Sequence, residues 1–194
     1  MDRRVKYTKL VLRQSLLALL VERPVGQITV TALCAHADVN RNTFYAHYGS
    51  PADVLAEIER DLLAEVQQSL ESLLEVEHVT GMLTEILRSL DNNRALCRIL
   101  FSETGDADFL SRILAIAHDR SVDAWRTAKP ALHPDQMEML YAFFSQGSAA
   151  VIRQWILQES EHSGQRASPE QLASFLQQLI TRGFQSDRKS TRLN

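Results

Sequence analysis

Cysteine is scarce in this chain: two residues in 194, Cys34 and Cys97. Two thiols without metal-ligand spacing exclude a disulfide-dense scaffold and a zinc module. They point to reduced, core-filling side chains of a cytoplasmic protein. Glycine (7) and proline (5) are also few, which excludes collagen and low-complexity disorder over most of the length. No uninterrupted apolar run exceeds six residues, as in Leu16–Val21, against the ~20 a membrane span needs. The basic start, Arg3-Arg4-Val5-Lys6, is followed by no continuous apolar segment and no small-residue cleavage site, so it does not read as a signal peptide. Strict apolar–polar alternation between hairpin turn signals is missing too, and strands are not expected.

Catalytic patterns are equally absent. The six histidines show no metal spacing, and acidic pairs such as Glu57/Glu59 stand two apart, off a shared helix face. Ser145–Ala150 is no nucleophile elbow, and there is no glycine-rich phosphate loop. The expectation is a non-enzyme without metal or cofactor.

What is present is helical periodicity. The chain is 45% hydrophobic and 23% charged, enough for a sizeable core, and its apolar spacing predicts an all-α fold of about nine helices. Leu12, Ser15, Leu16, Leu19 and Leu20 form one face of a helix over 7–22. Val30, Leu33, Cys34 and Ala37 do the same over 30–37, with Thr29 as cap. A turn, Asp38-Val39-Asn40, leads into a short third helix over 41–47. Ser50-Pro51 starts a fourth, running to about residue 75. Further helices are predicted over 79–90, 94–102, 107–128, 135–160 and 169–184, the last opened by the capping box Ser168-Pro169-Glu170-Gln171. The tail from Gln185 has no apolar period and reads as disordered. Its end, Asp187–Asn194, resembles a translated adapter sequence and is assigned no role. The domain reading is an N-terminal unit over 1–50 and a C-terminal unit over 51–184.

Charge is unevenly spread. The net charge is −3, but residues 1–50 hold seven basic and three acidic side chains, so the remainder is strongly acidic. A basic head on an acidic body suits an anionic partner, nucleic acid first.

Residues 29–48 carry the functional pattern. Two short helices joined by a three-residue turn have helix-turn-helix geometry, whose second helix can enter a major groove ~12 Å wide. Phe44 and Tyr48 are expected to face inward. Arg41, Asn42, Tyr45 and Ala46 are expected outward, chemically suited to guanine, adenine and a thymine methyl. Thr29, Thr43, Tyr45 and His47 offer donors to phosphates.

Residues 7–60 resemble the TetR-type DNA-binding domain, through Thr29-Val30, Leu33-Cys34, Ala37-Asp38-Val39-Asn40 and Thr43-Phe44-Tyr45-Ala46-His47-Tyr48, with a connecting helix from Ser50. Phe143–Trp155 is similar to the penultimate helix of a TetR subgroup that includes regulators near dihydroxyacetone kinase genes. The resemblance implies a homodimeric transcription factor, usually a repressor, which leaves a palindromic double-stranded operator when a small-molecule effector binds its C-terminal domain. It implies DNA contacts from the recognition helix Arg41–Tyr48, and a four-helix bundle formed by the last two helices of each chain. Two departures stand out. The turn has Asp38 where glycine is usual, and Pro51 replaces a phosphate-gripping lysine found in many members. The basic arm of Arg3, Arg4 and Lys6, continued by Lys9, is a candidate substitute. Effector-pocket candidates are Cys97, His118, Trp125, Tyr141, Phe144 and Arg153; an inward Arg153 would favour an anionic effector. Dimer candidates on the penultimate helix are Gly147, Ala150, Val151 and Trp155. On the last helix they are Leu172, Phe175, Leu176, Leu179 and Ile180. A second function class is the same fold used as a co-activator, its head binding a protein instead of DNA.

Overall fold

A computed structural model describes residues 3–71, 79–106, 108–128, 130–158 and 166–184. Among them there are ten α-helices and one short 3-10 turn, and no strand. The tail from Gln185 lies outside the described residues. The chain divides into two compact units, Met1–Glu65 with Asn93–Phe109, and Val66–Asn92 with Leu110–Asn194.

In the first unit, α1 (Arg3–Leu20) buries Leu12, Ser15, Leu16, Leu19 and Leu20, the predicted stripe. It begins four residues earlier than the spacing suggested, because Arg3–Lys6 are compatible with helix though they bury little. It ends when the amides of Glu22 and Arg23 both turn back onto the Leu19 carbonyl, and Pro24 prevents continuation. After the 3-10 turn Val25–Gln27 come α2 (Val30–Ala37) and α3 (Arg41–Tyr45). The helix α4 (Pro51–Glu71) follows. Its start is tied by Asp53, whose carboxylate accepts from the Gly49 and Ser50 amides, while Ser50 Oγ accepts from the Asp53 amide. This reciprocal cap holds the chain entering α4 at a fixed angle.

The short helix α6 (Arg94–Leu100) packs on α1 within the same unit, with Cys97 and Leu100 buried. Beyond it, Thr104 Oγ1 donates to the Leu20 carbonyl at 2.7 Å. A Cβ on Gly105 would stand 2.1 Å from the Leu100 carbonyl oxygen, so only glycine fits where the chain doubles back.

The second unit is built on α5 (Val79–Asn92), which packs against α8 (His118–Ala128), α9 (Pro134–Leu157) and α10 (Pro169–Phe184). The helix expected over 107–128 is two helices, α7 (Phe109–Ala115) and α8. The Ile116 and Ala117 amides reach back only three residues, to Ile113 and Leu114, which tightens the turn and ends α7. No glycine or proline marks this break. The helix α9 opens on a capping box the sequence reading missed: His133 Nδ1 accepts from the Asp135 amide and Gln136 Oε1 from the His133 amide. The predicted box at Ser168 and Gln171 is present at α10. Arg166 fixes the approach to α10, bonded to both Asp91 oxygens at 2.8 and 3.0 Å and lying 4.6 Å from the Trp155 ring centre. Among the described residues no helix is long and apolar enough to cross a membrane.

Candidate nucleic-acid interface and ligand pocket

The first unit presents a short exposed helix held by two caps. Thr29 Oγ1 accepts from the Ala32 amide at 3.1 Å and starts α2. Asn40 Oδ1 accepts from the Asn42 amide at 2.8 Å and starts α3. Between them Asp38 adopts φ 52°, ψ 44°, the left-handed turn conformation. It is the one described non-glycine residue with positive φ, and Asp tolerates that region better than most side chains.

Phe44 is fully buried and anchors α3. Tyr45 stacks edge-on against it, with ring centres 5.5 Å apart, yet remains 52% exposed. Arg41, Asn42, Thr43 and Ala46 are exposed and His47 is half-buried. Thr29 is exposed too, although its hydroxyl already serves as a cap. Tyr48, also proposed as a DNA contact, belongs instead to the core. It is 6% exposed and its hydroxyl donates to Glu57 Oε1 at 3.1 Å. Burial, then the Glu57 charge, raises its pKa far above the usual tyrosine value.

Glu57 is a hub the sequence did not reveal. Besides Tyr48 it takes Lys9 Nζ at 2.7 Å, and Arg13 bonds Asp61 one turn further along α4. Lys9 also lies 5.2 Å from the Tyr48 ring centre. Lys9 is thereby used up in fastening α1 to α4 and is unavailable as part of a basic arm. Arg3, Arg4 and Lys6 are exposed, but they lie in the first turn of α1 rather than on an extended arm. Pro51 is buried.

The second unit contains a cavity. The helix α5 contributes Met82, Leu83 and Ile86, and the α7–α8 junction Leu114 and Ala117. From α8 come Ser121 and Trp125, from α9 Tyr141, Phe144, Ser145 and Ser148, and from α10 Ile180. Of the six pocket candidates, Trp125, Tyr141 and Phe144 line it. Trp125 lies 6.1 Å from Tyr141 and 5.9 Å from Phe144, ring centre to ring centre. Cys97 does not, being buried in α6 of the other unit. His118 is outside the lining: its ring nitrogens pair with Asp119 and Glu138 at 2.8 and 2.9 Å, and its face meets Tyr141 edge-on. Arg153 is half-buried and not in the lining, so the anionic preference tied to an inward Arg153 lapses. Ser121 and Ser148 were missed as lining residues. Ser148 was legible only as a small member of an apolar stripe.

The interface candidates also separate. Trp155, Leu172, Leu176 and Ile180 are each under 9% exposed within the single chain. They are core, because α9 and α10 turn these sides inward, and Trp155 Nε1 donates to the Ala167 carbonyl there. Val151 is half-buried. Gly147 and Ala150 are exposed, as are Phe175 (51%) and Leu179 (48%). Met139 (71%) and Phe143 (72%), which the sequence reading did not place on this face, extend it along α9.

No curated protein matches the chain. Three solved structures have a similar fold. A TetR transcriptional regulator from Streptococcus agalactiae 2603V is 23% identical, TM-score 0.68, covering 92% of this chain and 96% of that one. The dihydroxyacetone kinase operon activator DhaS is 18% identical, TM-score 0.55, covering 91% and 95%. FadR of Thermus thermophilus, a TetR family repressor in complex with lauroyl-CoA, is 16% identical, TM-score 0.55, covering 96% and 99%. Residues 77–182, more than half of the chain, match a TetR-type family model described as a transcriptional regulator C-terminal region, and on that match the chain belongs to the TetR family of transcriptional regulators.

Proposed function

We propose that this regulator is a sequence-specific DNA-binding homodimer of the cytoplasm, a repressor that leaves a palindromic operator when a small-molecule effector fills the cavity of its second unit. The observation that carries the reading is the surface of α3. Arg41, Asn42, Thr43, Tyr45 and Ala46 stand exposed together on a helix whose start is capped by Asn40. A bidentate reader of guanine, an amide suited to adenine and a small apolar contact lie within six residues. Phosphate contacts fall to Thr29, Thr43, Tyr45 and His47, with Arg3, Arg4 and Lys6 in reach of the backbone charge. Self-association is supported by the apolar face of Met139, Phe143, Phe175 and Leu179, flanked by Gly147 and Ala150. Large apolar side chains left in water at this density mark an interface.

Fluorescence anisotropy on the DNA upstream of the gene, against a shuffled fragment, tests the reading. Binding is expected to be selective and to weaken steeply with salt, by ~0.9 in log–log slope per phosphate neutralised. Arg41→Ala is expected to weaken operator binding by ~1–3 kcal/mol and relax specificity at one position. An equal loss on every sequence would contradict base reading by Arg41. The co-activator reading draws on Pro51, buried where many relatives carry a phosphate-gripping lysine. Equal affinity for operator and shuffled DNA, with genome-wide fragments also unselected, would favour it.

A further inference from the structure

The cavity of the second unit has a polarity that limits what can occupy it. Its lining is almost wholly apolar, with the rings of Trp125, Tyr141 and Phe144 along one side. No charged side chain lines it among the described residues. Two of its four hydroxyls are already engaged. Tyr141 donates to the Leu114 carbonyl at 2.9 Å and Ser145 to the Ala142 carbonyl at 3.2 Å. The other two, Ser121 on α8 and Ser148 on α9, belong to residues only 6% and 7% exposed. Among the described residues neither side chain makes a hydrogen bond. Serine within a helix can return its hydroxyl to a carbonyl of the preceding turn; here both hydroxyls are left on the cavity wall. Neither Oγ is sealed from water, so both hydroxyls stay open to bonding by whatever fills the cavity.

The charge of that occupant follows. An anion would lie in an apolar cavity with no cation to meet it. A cation would find aromatic faces but no free carboxylate. Glu138 and Asp119, whose charges reach Tyr141, are both bonded to His118. Placing an unpaired ion there is strongly unfavourable.

We infer that this cavity takes an uncharged, largely apolar molecule whose one or two hydroxyl or carbonyl oxygens bond Ser121 and Ser148. The inference rests on the proposed effector role of the cavity, and it can be tested apart from that role. Phenol, toluene, benzoate and benzylammonium are titrated calorimetrically into the full-length protein without DNA. Phenol is expected to bind about five- to tenfold more tightly than toluene, the worth of one or two modest hydrogen bonds, with benzoate and benzylammonium weaker than either. Ser121→Ala and Ser148→Ala remove hydroxyls that bond nothing in the free protein, so folding is expected to be intact. Each should narrow the phenol-to-toluene ratio towards one while leaving toluene affinity unchanged. Benzoate or benzylammonium binding as tightly as phenol, a wild-type ratio of one, a ratio untouched in both variants, or no binding by any probe would each overturn the inference. Adding phenol to the operator complex is a separate arm. Binding without release of DNA would sink the effector reading and leave the ligand class standing.

Discussion

Asp38 joins α2 to α3 through a left-handed backbone, φ 52°. Glycine adopts that region without strain but loses more chain entropy on folding; a β-branched side chain is strained there. Asp38→Gly is therefore expected to stay within about 0.5 kcal/mol of the parent, whereas Asp38→Val should lose about 1–2 kcal/mol. Urea denaturation checks this, and equal midpoints for the two variants would contradict the strain argument. Gly105 answers to a different constraint. Its φ is not positive, but a Cβ would meet the Leu100 and Ile99 carbonyl oxygens at 2.1 and 2.5 Å. Backbone atoms cannot step aside as a flexible side chain can. Gly105→Ala is expected to destabilise by about 1–3 kcal/mol; a thermal midpoint equal to the parent's would contradict the close approach.

Between elements, a few ion pairs do what apolar packing leaves open. Glu57 collects Lys9 from α1 and Tyr48 from the end of the recognition segment, and so registers α3 against both longer helices of its unit. In the second unit His118 on α8 spans to Glu138 on α9. The bond to Asp119, then that to Glu138, raises the His118 pKa above its ordinary 6.5. The group binds its proton more tightly folded than unfolded. Its contribution to stability is complete below about 6.5 and lost as pH rises through the raised folded value. His118→Gln should lower the thermal midpoint most at pH about 5.5, with the deficit shrinking towards pH about 8.5, as that linkage requires. A deficit independent of pH would show that the protonated pair adds nothing. At the head of α10 the Glu170 carboxylate is held down to about 2 by Ser168, its own backbone and Arg88. It stays ionised through this whole range, so it does not confound the comparison.

At the scale of the molecule, the exposed apolar face of α9 and α10 carries the proposed association. A Cβ on Gly147 would meet nothing within 4 Å in the single chain. Leucine there is thus harmless to the protomer and improves helix propensity. If α9 packs closely on its copy, Gly147→Leu weakens the dimer without lowering protomer stability, and Phe143→Asp does so more strongly. Sedimentation velocity reads both. An unchanged dimer mass for Gly147→Leu would remove that residue from the interface, and an unchanged mass for both would move the interface elsewhere.

Period and punctuation determined much of this protein without coordinates. The stripe of α1 was legible because five buried positions repeat at helical spacing. Thr29, Asn40 and Ser168 were legible as caps because a cap acts over three residues of the same chain. The outward set of α3 followed from its order around one helical turn. What depended on contacts across the chain was not legible. Glu57 meets Lys9 forty-eight positions away, and nothing local distinguishes it from any exposed glutamate. The break between α7 and α8 has no glycine or proline to announce it. Trp155, Leu172, Leu176 and Ile180 lie beside Gly147, Ala150, Phe175 and Leu179 on the same two helices, and composition treats both sets alike. A helical stripe shows that a face is apolar; only packing decides whether that face is covered by its own chain. Likewise the hydroxyls of Ser121 and Ser148 acquire meaning only where α5, α8 and α9 close around a cavity that both line, because what a polar group can bond depends on its surroundings and not on its neighbours in sequence.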